Sequence, residues 1–197
     1  MGIGVSLSGL ASAVANMGGV GVISTAGIGL IDSNNKNNNF RTNSINALRL
    51  EIRKAREKTS GVLGVNIMSV LTNFADMVQT SIEEGIDIIF CGAGLPLDLP
   101  KYLKDELKTK LVPIVSSVRA ASILCAKWKQ NYNYLPDALV VEGPKAGGHL
   151  GFKASELDKE SNSLEELVPG VKKVSTQMKE QYGKEIPVIA AGCIFRG

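Results

Sequence analysis

Six short aliphatic runs punctuate this chain about every 25 residues, and between successive runs lies a segment with helical apolar spacing. The runs are Val20 to Ser24, Val62 to Met68, Ile86 to Cys91, Leu111 to Val115, Ala138 to Val141 and Ile186 to Ala190. Strand followed by helix, over and over and with no compositional break to mark a linker, restricts the fold to a parallel α/β sheet in one domain spanning residues 1–197. That sheet is either doubly wound and open or wound into a (β/α) barrel. Periodicity does not choose between them, but GxGxxG, the turn of the dinucleotide-binding open sheet, is absent.

The helices follow from the same spacing. Leu7, Leu10, Ala11, Val14 and Met17 share one stripe, with Ser6 placed to cap it and Gly18-Gly19 to end it. Thr42 or Asn43 can cap a helix carrying Ile45, Leu48, Ile52 and Ala55, and Asn73 one carrying Phe74, Met77, Val78 and Ile82. Further helices are expected over Leu99 to Leu107, Arg119 to about Gln130, and Pro169 to Tyr182, where proline suits a first turn.

No charged residue precedes Asp32. The stretch lacks the basic start of a signal peptide, and its Gly and Ser break the run of about 20 apolar residues that a spanning helix needs. Neither a membrane segment nor a targeting signal is expected. Burial on all sides, as in a parallel sheet covered on both faces, accounts for it instead. The chain carries 22 Lys and Arg against 19 Asp and Glu, a net charge of +3, which is no footprint for a nucleic-acid partner. Cys91, Cys125 and Cys193 form no CxxC and no even framework, so neither a disulfide scaffold nor a metal site is expected, and a reducing cytoplasm fits.

Gly, Asn, Ser and acidic residues cluster just after the strands, where both candidate architectures place their ligands. One segment stands out: Glu142-Gly143-Pro144-Lys145-Ala146-Gly147-Gly148-His149-Leu150-Gly151. Gly147 and Gly148 let backbone N–H groups approach a flavin ring or a phosphate, or they simply make a tight turn. His149 is the only histidine, and it reads either as a proton acceptor near neutral pH or as the cap of a carbonyl. Asn66 offers an amide to a heterocycle edge, or ends its strand as a turn residue. Ala190-Ala191-Gly192 has the small residues of a phosphate-binding turn, which also suit packing after a buried strand. Cys91 and Cys193 sit at strand ends and can face a ligand, but no activating base accompanies them.

Several segments together resemble the nitronate monooxygenase family, formerly the 2-nitropropane dioxygenases, whose relatives include the FMN-dependent enoyl-acyl-carrier-protein reductases. They are Gly2 to Ser6, Gly18 to Ser24, Cys91-Gly92-Ala93-Gly94-Leu95-Pro96, Glu142 to Gly151, and Ile186 to Gly192. The resemblance implies a TIM barrel that binds FMN without a covalent link. It implies that Asn66, Glu142, Gly147, Gly148 and Gly192 help hold FMN, and that His149 takes the substrate proton. The implied reaction is oxidation of an alkyl nitronate with oxygen to a carbonyl compound and nitrite. Alternatives are NAD(P)H-dependent reduction of an enoyl thioester, and an inactive barrel fragment that needs a partner chain.

The sequence departs from the family in two respects. Cys193 stands where the family usually has glycine. The resemblance also sets one strand before Met1 and another after Gly197, so the chain is expected to hold strands two to seven of an eight-stranded barrel. A barrel open at that seam is expected to bind FMN weakly and to pair its free edges with a second copy or a partner.

Overall fold

The structure, a computed structural model, describes residues 2–31, 39–103, 108–148, 150–192 and 194. Its strands are β1 Gly21–Ser24, β2 Leu63–Met68, β3 Ile88–Gly92, β4 Lys110–Val115, β5 Leu139–Glu142 and β6 Val188–Ala191. They are parallel and lie in the order β1-β2-β3-β4-β5-β6. An order that never reverses belongs to the (β/α)8 barrel, whereas a doubly wound sheet doubles back at a switch point. The fold is therefore of the TIM-barrel type, with six strands among the described residues.

Contacts group the chain into two compact units, Met1–Phe90 with Tyr102–Lys110, and Cys91–Lys101 with Leu111–Gly197. The first unit holds α1 Ser8–Asn16, α2 Phe40–Arg56 and α3 Phe74–Glu83. Leu63, Val65 and Ile67 of β2, Leu48 and Ile52 of α2, and Met77 and Val78 of α3 are fully buried. Burying each such side chain contributes about 1.5–3 kcal/mol. The alternate residues of β2, Asn66 and Met68, remain half-buried and belong to the other face of the sheet.

The expected burial of α1 on all sides is corrected by the structure. Its buried face is Ser8, Ala11, Ser12 and Ala15, while Leu10 is 51% exposed and Met17 88% exposed. The cause lies in β1. An ideal Cβ at Gly21 would sit 1.9 Å from the Ala11 carbonyl oxygen, so helix and strand meet backbone to backbone and only small side chains fit between them. The large aliphatics of α1 are turned the other way.

The caps differ as well. The Ser8 N–H is taken by Glu51 Oε2 of α2 at 2.9 Å, not by Ser6, whose carbonyl accepts the Ser24 N–H at 2.8 Å. Helix α2 begins earlier than Thr42, because the Asn39 side chain accepts the Thr42 N–H at 3.2 Å. Asn73 does stand at the start of α3, without a side-chain capping bond.

In the second unit, α4 Val118–Tyr132 and α5 Leu164–Tyr182 enclose a core of Val115, Cys125, Leu139, Val141, Leu167, Val171 and Ile186. Ser117 caps α4 by accepting the Ala120 N–H at 3.1 Å. Helix α5 starts at Leu164 rather than at Pro169, which lies inside it. Burial of Leu167 and Val171 on one stripe outweighs the one backbone bond that proline removes. A 3₁₀ turn covers Leu99–Tyr102; the rest of the helix expected there, residues 104–107, lies outside the described residues.

Candidate functional site

Asn66 stands inside β2, two residues before its end, which removes its reading as a turn residue. It is the register partner of Ser24, the last residue of β1. Register partners on parallel neighbours share a sheet face, and this face is opposite the one that Gly21 and Leu63 turn toward the helices. Thr25 locks the pair in place. Both its N–H, at 3.1 Å, and its hydroxyl, at 2.9 Å, donate to the Asn66 carbonyl oxygen. The hydroxyl of Ser24 is buried and has no hydrogen-bond partner.

The second unit brings together the other expected residues. Glu142 ends β5 in register with Ala191 of β6, half-buried, and burial raises its carboxyl above the usual carboxylate range. The next residue, Gly143, donates its N–H to the Ala191 carbonyl at 3.1 Å and accepts the Ala146 N–H at 3.2 Å. Gly192, at φ +99°, faces this turn so closely that a Cβ there would sit 2.8 Å from Ala146 Cβ. At Gly143 a Cβ would lie 2.8 Å from Leu164 Cγ. Gly147 and Gly148 have open space where a Cβ would project, and Gly148 adopts φ +87°.

Beside this turn lies a cleft of about 390 Å³, lined by Gly143, Lys145, Lys159, Ser163 and Gly192 among others. His149 and Cys193 lie outside the described residues. Asn66 belongs to the first unit and the remaining expected residues to the second, and each group is organised within its own unit.

The chemistry available is that of backbone donors and shaped space. Cys91 does not face a ligand as its position at a strand end suggested; it is fully buried, and burial pushes its thiol up to about 12. Burial pushes that of Cys125 up to about 11. Neither supplies a thiolate near neutral pH. Among the described residues no group of His, Cys, Asp and Glu could hold a metal ion, and no helix is long and apolar enough to cross a membrane. Gly143 and Gly192 pack against Leu164 and Ala146, and the open Gly147-Gly148 pair leaves room for a ligand held by main-chain N–H groups. Sequence reasoning missed Ser24 and Thr25 as parts of the Asn66 site. Only the strand register could have revealed them, by pairing Ser24 with Asn66.

The sequence model of the nitronate monooxygenase family matches residues 1–197. The chain belongs to that family. It is 29% identical, over 188 residues, to a (3aS,4S,5R,7aS)-5-hydroxy-7a-methyl-1-oxo-octahydro-1H-indene-4-carboxyl-CoA dehydrogenase of Mycobacterium tuberculosis, covering 95% of this chain and 42% of that protein. Among solved structures, the M276A mutant of FabK from Thermotoga maritima is 30% identical with a TM-score of 0.71, covering 98% of this chain and 52% of that one. A nitroalkane oxidase from Streptomyces ansochromogenes, 21% identical with a TM-score of 0.73, shares the fold over 100% of this chain and 57% of its own. This nitronate monooxygenase family chain thus spans about half the length of the relatives it matches.

Proposed function

We propose that residues 1–197 act as one FMN-binding domain of a flavin oxidoreductase that oxidises alkyl nitronates with oxygen to a carbonyl compound and nitrite. The observation that carries this reading is the family match along the whole chain. The residues present fit the cofactor. The Gly147-Gly148 pair has open space beside it, and a buried polar atom without a partner lies beside Asn66. Bound FMN would supply the electron acceptor for the substrate and the site of reaction with oxygen.

The chain's own residues then have separable tasks. Asn66 presents its amide, with its backbone fixed by Thr25, to a ring edge. The Gly147-Gly148 and Gly192 turns bring main-chain N–H groups close to a ring or a phosphate without steric cost. Glu142 keeps a proton to higher pH than a solvated carboxyl, so it can donate as well as accept a hydrogen bond. His149 is the proton acceptor for neutral nitroalkanes.

A second reading is NAD(P)H-dependent reduction of an enoyl thioester. It is favoured by the 30% identity to FabK, an enoyl-acyl-carrier-protein reductase, and by the thioester in the name of the carboxyl-CoA dehydrogenase relative. Two assays on the FMN-supplemented protein separate the readings. Nitrite release from an alkyl nitronate is expected under the first; NADH oxidation stimulated by an enoyl thioester, without nitrite release, would replace it with the second.

A further inference from the structure

Buried hydroxyls in native proteins nearly always find a partner, since leaving one unmade costs about 1–3 kcal/mol. Four other buried hydroxyls illustrate the rule: Ser44 donates to the Phe40 carbonyl, Ser81 to Met77, Thr109 to Ile86 and Ser175 to Ile186, all within 2.6–2.8 Å. Ser24 is 1% exposed and its Oγ bonds to nothing. Its position gives the exception meaning. It is the register partner of Asn66, on the sheet face turned away from the helices, and Thr25 clamps the same pair of strand ends through two bonds to one carbonyl.

We propose that Ser24 is a second hydrogen-bonding residue for the flavin, donating or accepting alongside the Asn66 amide. The proposal rests on the flavin reading above and extends it to a residue on a different strand. Rotation about a single χ1 bond can turn the hydroxyl toward the neighbour that Asn66 serves, and a serine has three staggered choices of similar energy. A purely structural serine would look different, because its hydroxyl would be bonded to the backbone like those of Ser44 and Ser175. The orphaned hydroxyl carries an expectation specific to a ligand contact: its removal should leave the unliganded protein no less stable while weakening the loaded one.

The test is titration of FMN into the 1–197 protein, its Ser24→Ala variant and its Ser24→Cys variant, followed by quenching of flavin fluorescence and by the visible absorption band. Melting of each protein without FMN is measured in parallel. For Ser24→Ala, FMN affinity is expected to fall about five- to tenfold, the effect of one lost hydrogen bond. The unliganded melting temperature is expected to stay level or rise. Ser24→Cys, which keeps the side-chain shape with a somewhat larger atom and a poorer donor, is expected to fall between the two. Equal FMN affinity in Ser24→Ala and the parent would overturn the role of Ser24 and leave the flavin reading intact. A lowered melting temperature in both unliganded variants, or their failure to fold, would overturn it too, by making the hydroxyl structural. A parent chain that takes up no FMN at about 1 mM would overturn the flavin reading itself, and the role of Ser24 with it.

Discussion

Strand starts and strand finishes are built on opposite principles. At the start of β4, the Leu111 N–H is held by Asp137 Oδ2 at 2.9 Å, and the same carboxylate takes the Tyr134 hydroxyl and, at 3.1 Å, Lys184 Nζ. At the start of β2, Asp87 takes the Leu63 N–H at 2.8 Å and Arg56 at 2.5 Å. In each cluster the carboxylate ties a strand-start N–H to side chains of its own unit. At the finishes, Ser24 is unpartnered and Glu142 is half-buried with its carboxyl raised. Groups that satisfy one another stabilise the fold, and groups left with capacity are those able to serve a ligand.

The comparison breaks first at Asp137. Asp137→Ala strands a backbone N–H, a phenol and an ammonium together, and is expected to cost about 3 kcal/mol in urea unfolding with no change in the FMN affinity of the folded protein. An affinity loss without a stability loss would erase the distinction between starts and finishes. Gly192→Val is expected to give the reverse pattern. Its side chain must displace Ala146 while the backbone holds φ +99°, so FMN affinity is expected to fall at least about tenfold by fluorescence titration, with a smaller loss of stability.

Glu142 sharpens the contrast through pH. Burial raises its carboxyl in the folded chain, so between the unfolded and folded values the folded state holds more protons, and stability falls as pH rises through that window. Glu142→Gln is expected to remove this dependence. The variant should be at least as stable as the parent above the carboxylate range and indistinguishable from it at a pH where the parent's Glu142 is protonated in both the folded and the unfolded chain, as read by melting temperature against pH. The smallest effect concerns the thiols: with values near 12 and 11, Cys91 and Cys125 are expected to resist a disulfide reagent at pH 8 until the chain unfolds.

The six-fold alternation was legible because each strand is a short, mostly aliphatic run, and no helical pattern of that length competes with it. The orientation of α1 was not. A helix without a charge carries no charged face to say which side meets water, its serines lie on the buried side, and the deciding residue, Gly21, lies on another element. Asn39 was hidden as a cap among the asparagines beside it, and Pro169 drew attention from the true start of α5 at Leu164. At the candidate site, the glycine turn was legible as a turn from its composition, and Glu142 and Gly192 as residues at strand ends. Ser24 was not, since an isolated serine carries no signal until register sets it beside Asn66.

The contact between Gly21 and Ala11 also limits the order in which this protein can change. With 1.9 Å between an ideal Cβ and the facing carbonyl oxygen, no side chain can be added at 21 while α1 keeps its place. Moving α1 outward first would open gaps beside Ala11 and Ala15 that their methyl groups cannot fill. Position 21 is therefore closed to any single substitution that adds a side chain while α1 keeps its place.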